Sequence, residues 1–141
     1  MTADDNDGVM LAIDTSTEIA GVGLYDGEQV SELVWNAGRN QTVMLLEQIQ
    51  HLLTLNRREL REIRAIAVAS GPGTFNGLRV GLSTAKGLAY GRGIPVFGVN
   101  TLDATAYPHR STGLPIRAFV PAGRGRTVFC DYQQRSGRWV R

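Results

Sequence analysis

The stretch Ser70-Gly71-Pro72-Gly73-Thr74-Phe75-Asn76-Gly77-Leu78-Arg79-Val80-Gly81 constrains this chain more than any other. Gly71, Gly73, Gly77 and Pro72 fall within seven residues. Glycine takes positive φ freely and proline holds φ near about −65°, so the backbone is committed to an unusual path. A small apolar run, Ala65 to Ala69, precedes the stretch, and a helical pattern from Leu78 to Tyr90 follows it. A strand that turns through glycines into a helix aims backbone N–H groups at an anion or a partner. Spacing excludes two common phosphate cradles. The P-loop requires Gly-Lys-Ser/Thr at its end, but Asn76 occupies that glycine position and Lys86 follows Ala85. The dinucleotide fingerprint fails because Gly77 comes one residue late, and no acidic residue follows at about twenty positions to hold a ribose.

The rest of the chain is read around this turn. Residues 1–8 read as a disordered leader. Val9 to Ile13 is a continuous apolar run, as expected of a strand buried on both faces. Asp14 to Glu18 is a turn of short oxygen-bearing side chains, and Ile19 to Tyr25 is a second strand. Asp26-Gly27 predicts a two-residue hairpin returning as Glu28 to Trp35. Asn40 or Thr42 caps a helix to about Asn56, with Val43, Leu46, Ile49 and Leu53 on one stripe, widened by Leu45 and Leu52. Met44 lies off that stripe and suggests a second apolar face. After the polar connection Arg57 to Arg64, Ile63 to Ala69 is the fourth strand. Gly91 and Gly93 end the next helix, Pro95 to Val99 is the fifth strand, and Asn100 caps a short helix to about Tyr107. Pro108 to Pro115 reads as linker, and Ile116 to Val120 with Thr127 to Tyr132 as a hairpin.

Strand, hairpin, strand, helix, strand, helix, strand is the order of the ribonuclease-H-like lobe of actin-like ATPases. This predicts an α/β fold: a five-stranded mixed sheet, three strands antiparallel and two parallel, with helices on both faces. The lobe would span residues 9–107, and residues 108–141 would supply a linker and the first hairpin of an incomplete second lobe.

The composition suits such a core, at 43% hydrophobic, with a formal net charge of only +2. That charge is unevenly spread: seven arginines follow Pro108, against Asp131 alone. They read as a solvated basic end or as a surface for RNA or an acidic partner. Cys130 is the only cysteine and His51 and His109 the only histidines, which gives neither a disulfide framework, nor metal-ligand spacing, nor a nucleophilic triad. No apolar run approaches the ~20 residues of a membrane span, and the acidic start is unlike a signal peptide, so a cytoplasmic location is expected.

Two constellations are candidates for function. In actin-like proteins the first turn faces a phosphate. Asp14, Thr15, Ser16 and Thr17, with Gly71, Gly73 and Thr74, are therefore candidates for a nucleotide contact, with Asp14 able to hold magnesium or simply to end its strand. Strands four and five end in Ala69-Ser70 and Val99-Asn100 without a second carboxylate, which argues against autonomous phosphoryl transfer. The second constellation is a ridge of small residues, Gly77, Gly81, Ala85 and Ala89, recurring every fourth position. Such a ridge lets another backbone approach closely, and interior glycines at 81 and 87 cost about 1 kcal/mol each relative to alanine, which implies a packing reason.

Ile13-Asp14-Thr15-Ser16-Thr17, Gly71 to Gly81 and Thr84-Ala85-Lys86-Gly87-Leu88-Ala89 together resemble the TsaB family of glycoprotease-like, actin-fold proteins of tRNA threonylcarbamoyladenosine biosynthesis. The resemblance runs from about Val9 to Ala106. It implies a dimerization subunit without catalytic groups or metal. That subunit pairs with the catalytic subunit TsaD, or with itself, and works with the ATPase TsaE. The complex forms N6-threonylcarbamoyladenosine at position 37 of tRNA, which this subunit touches only indirectly. It has no cofactor of its own, and any ATP or ADP is shared with partners. Met44, Ile49, Gly77, Leu78, Gly81, Ala85 and Ala89 would form the pairing surface. The alternative is an actin-like nucleotide-dependent phosphotransferase or ATPase lobe. The chain departs from the family at Asn40, where histidine is common, and at Pro121-Ala122-Gly123-Arg124-Gly125-Arg126, where both family acids are missing. Family members are longer, so a C-terminally shortened form is expected.

Overall fold

The computed structural model describes residues 8–38 and 41–141. The leader and the proposed caps at Asn40 and Thr42 lie outside the described residues and side chains. Eight strands are described: β1 (Val9–Asp14), β2 (Ile19–Tyr25), β3 (Val30–Asn36), β4 (Ile63–Gly71), β5 (Val96–Asn100), β6 (Ile116–Pro121), β7 (Thr127–Arg135) and β8 (Arg138–Val140). Three α-helices join them: α1 (Gln41–Leu55), α2 (Phe75–Tyr90) and α3 (Thr101–Ala106). The first sheet has the order β3-β2-β1-β4-β5. β1, β2 and β3 are antiparallel neighbours, while β4 runs parallel to both β1 and β5. This is the expected five-stranded mixed sheet.

Side-chain alternation decides what the sheet buries. Val9, Leu11 and Ile13 of β1 stand opposite Leu24 and Val22 of β2 and Ile66 and Val68 of β4, all on one face. That face packs under Leu45, Ile49, Leu52 and Leu53 of α1 and Ala85 and Ala89 of α2 in one cluster. Burying a Leu or Ile side chain there contributes about 1.5–3 kcal/mol. Both long helices therefore share a single face. On the other face α3 reaches only the β4–β5 end, where Ala104 lies beside Ala69 and Val99. Ala12 of β1 is exposed, so the central strand is not buried on both sides as its apolar run suggested. The apolar stripe of α1 also differs from expectation. Leu45, Ile49, Leu52 and Leu53 point inward, and Leu46 is 56% exposed.

Turns differ where side chains intervene. The β2–β3 loop spans four residues rather than two, since Tyr25 pairs with Val30. Asp26 Oδ1 accepts from the amides of Glu28 (3.0 Å) and Gln29 (2.8 Å), which opens the turn by an Asx arrangement. Asn100 caps α3 as its position predicts, accepting from the amides of Leu102 and Asp103.

A second sheet, β6-β7-β8, carries one strand more than the predicted hairpin, and the expected linker holds a 3₁₀ helix, Tyr107–Thr112. Leu102 and Ala106 of α3 pack on Ala118, Val120 and Tyr132 of that sheet. Asp103 ties the contact together: it accepts from the Tyr132 hydroxyl (2.6 Å) and pairs with Arg141. Trp139 stacks on Tyr132 with centroids 4.6 Å apart.

The Arg141 hydrogen bond, and after it that from Tyr132, holds the Asp103 carboxyl below its ordinary value of 3.8, against the opposing effect of burial. A depressed carboxyl contributes stability above its unfolded value and loses it as pH falls through the lowered folded value. Near-UV circular dichroism of the Tyr132–Trp139 stack should therefore show an acid step below about pH 4. Asp103→Asn should abolish that step. Identical titrations for the two proteins would contradict this anchoring role.

Candidate functional site

The turn after β1 and the glycine loop before α2 meet each other. Asp14 Oδ1 accepts from the Ser16 amide (2.9 Å) and from Ser16 Oγ (2.6 Å), closing a local turn. Ser16 returns its carbonyl to the amide of Thr74, at 2.8 Å. Thr15 Oγ1 donates to the carbonyl of Gly77 at 2.6 Å, a bond between residues 62 positions apart. Thr15 and Ser16 are both buried. Thr17 Oγ1 donates to the Ile19 carbonyl at 3.0 Å. Of the expected nucleotide-contact residues, the structure thus brings Asp14, Thr15, Ser16, Gly73 and Thr74 together. Thr15 and Ser16 nonetheless give hydroxyl bonds to this chain, and Asp14 spends one carboxyl oxygen on Ser16.

The glycines of the loop are demanded by this clasp. A Cβ on Gly73 would stand 2.6 Å from the Ser16 carbonyl oxygen. Gly71 has φ +114°, where an L side chain is strained. A Cβ on Gly81 would collide with Thr15 Oγ1 and lie 3.6 Å from Ile13 Cγ2 and Val68 Cγ2. The Thr15 side chain occupies the notch that Gly81 leaves on the helix, one turn after the Gly77 carbonyl to which it bonds. Helix α2 begins at Phe75, a turn earlier than its pattern suggested, and its cap residue Thr74 makes no side-chain cap bond. The Ser16 carbonyl holds the Thr74 amide instead.

The ridge of Gly77, Gly81, Ala85 and Ala89 is therefore buried against the chain's own sheet rather than presented outward. Ile49 is likewise in the core. Small residues lie at the centre of the inward face because α2 crosses the sheet closely. Val80, Leu82 and Leu88 flank them, packing on the core from the sides. Among the expected pairing residues, Met44 and Leu78 remain partly accessible. The outward face of α2 is made of other residues: Phe75 (72% exposed), Arg79, Ser83, Lys86, Gly87 and Tyr90 (93% exposed). The Arg79 guanidinium sits 5.3 Å from the Phe75 ring centroid. A Cβ on Gly87 would meet nothing within 4 Å. This outward face was missed, although its signal was present in the polar complement Asn76, Arg79, Ser83 and Lys86.

His51 and His109 are both exposed and far apart in sequence, and Cys130 is partly buried with its thiol 3.8 Å from the Asp131 carbonyl. Among the described residues no three His, Cys, Asp or Glu side chains gather as a metal site, and no helix is long and apolar enough to cross a membrane.

Residues 35–139 match the family model described as TsaD, tRNA N6-adenosine threonylcarbamoyltransferase. The chain is 34% identical over 133 residues to the tRNA threonylcarbamoyladenosine biosynthesis protein TsaB of Escherichia coli K12, covering 92% of this chain and 58% of that protein. To the TsaB protein of Haemophilus influenzae it is 41% identical over 69% of this chain and 41% of that one. A solved structure, YeaZ from Pseudomonas aeruginosa, superposes with a TM-score of 0.83 at 29% identity, covering 94% of this chain and 63% of that chain. The chain thus spans less than two thirds of the length of these relatives.

The two kinds of glycine should separate on substitution. Gly73→Ala should destabilise the chain by about 1–3 kcal/mol through overpacking against Ser16. Gly87→Ala should instead stabilise it by up to about 1 kcal/mol, as at an exposed helix position. Urea denaturation measures both, and equal effects at the two sites would contradict the clasp.

Proposed function

The chain belongs to the tRNA N6-adenosine threonylcarbamoyltransferase (TsaD) family, and from that premise we propose that it serves as a TsaB-type, non-catalytic partner subunit. In this reading it pairs with a TsaD-type catalytic subunit, or alternatively with a second copy of itself, in a cytoplasmic complex that also uses TsaE. That complex forms threonylcarbamoyladenosine at position 37 of tRNA. The observation that carries the pairing is Gly87. It sits inside a helix, where glycine costs about 1 kcal/mol relative to alanine, and no neighbour in this chain needs the space. Ser83 lies one turn before it, and the exposed rings of Phe75 and Tyr90 stand at the two ends of the helix. Leu46 of α1 is exposed as well. A small-residue strip between apolar anchors suits close helix-to-helix docking, with the anchors contributing most of the affinity.

The clasp supports the non-catalytic reading. A phosphoryl-transfer site needs carboxylates and free hydroxyl or amide groups converging on metal and phosphate. Here the Thr15 and Ser16 hydroxyls and the Thr74 amide each bond within the chain. β4 and β5 deliver Gly71 and Asn100 to the same end of the sheet. A nucleotide contact at this end, ATP or ADP, would be shared with a partner subunit.

Gly81→Leu does not test pairing, because it would disturb the clasp itself. Gly87→Leu does. It should keep or raise the melting temperature while weakening association with a TsaD-type subunit at least about tenfold, or about 1.4 kcal/mol. Calorimetric titration of the two purified subunits reads the affinity directly. Undiminished affinity in Gly87→Leu would place the interface elsewhere.

A further inference from the structure

We draw no further inference here: the strongest candidate, the apolar hollow on the face of the first sheet opposite α1 and α2, lined by Asp14, Ile19, Val34, Ala69 and Val99, carries nothing, because nothing in the structure shows what covers it.

Discussion

One hydrogen bond organises the first sheet and its helices: Thr15 Oγ1 to the carbonyl of Gly77. It joins the end of the central strand to the first turn of α2 across 62 residues of chain. Its geometry requires a helix surface without Cβ atoms at the contact, and Gly81 provides that surface. Once the notch is filled, Ala85 and Ala89 settle on the same sheet face and complete the core. Ser16 then closes the adjacent loop by holding the Thr74 amide, and Gly73 leaves room for it. Glycines that look like a phosphate cradle are, in this fold, spaces for a polar clasp. A buried hydroxyl without such a partner would cost about 1–3 kcal/mol, so the clasp and the glycines depend on each other.

The functional reading follows from what the clasp uses up. Inward positions of α2 are taken by the sheet, leaving the Phe75–Ser83–Gly87–Tyr90 face exposed, which is the face proposed for pairing. The second sheet is held apart from this by its own anchor, Asp103 with Tyr132 and Arg141. Its inner face belongs to α3.

Much of the fold was legible because it is local. The strand positions, the Asn100 cap and the glycine end of α2 each depend on neighbours within a few residues. The five-stranded mixed sheet followed from the sequence of elements. What was misjudged depends on distant partners. Spacing revealed that Gly77, Gly81, Ala85 and Ala89 form a ridge, but periodicity gives no direction, and only contact with Thr15, Ile13 and Val68 turns it inward. Leu46 and Leu45 are adjacent leucines, and the sheet's position decides which is buried. The early start of α2 rests on a carbonyl from the β1–β2 turn, which no capping rule at Thr74 could reveal. The exposed face was readable as the polar, glycine-containing side of α2, once the large flanking residues were seen to belong to the core.

A double-mutant cycle of Thr15→Ala and Gly81→Ala, measured by urea denaturation, tests the clasp most directly. Each single change should destabilise the chain, Gly81→Ala because its methyl group meets Thr15 Oγ1. Removing that oxygen should relieve the collision, so the double variant should be more stable than the sum of the singles predicts by about 1 kcal/mol or more. Additivity within about 0.5 kcal/mol would mean that Thr15 and Gly81 do not share a contact, and would contradict the account.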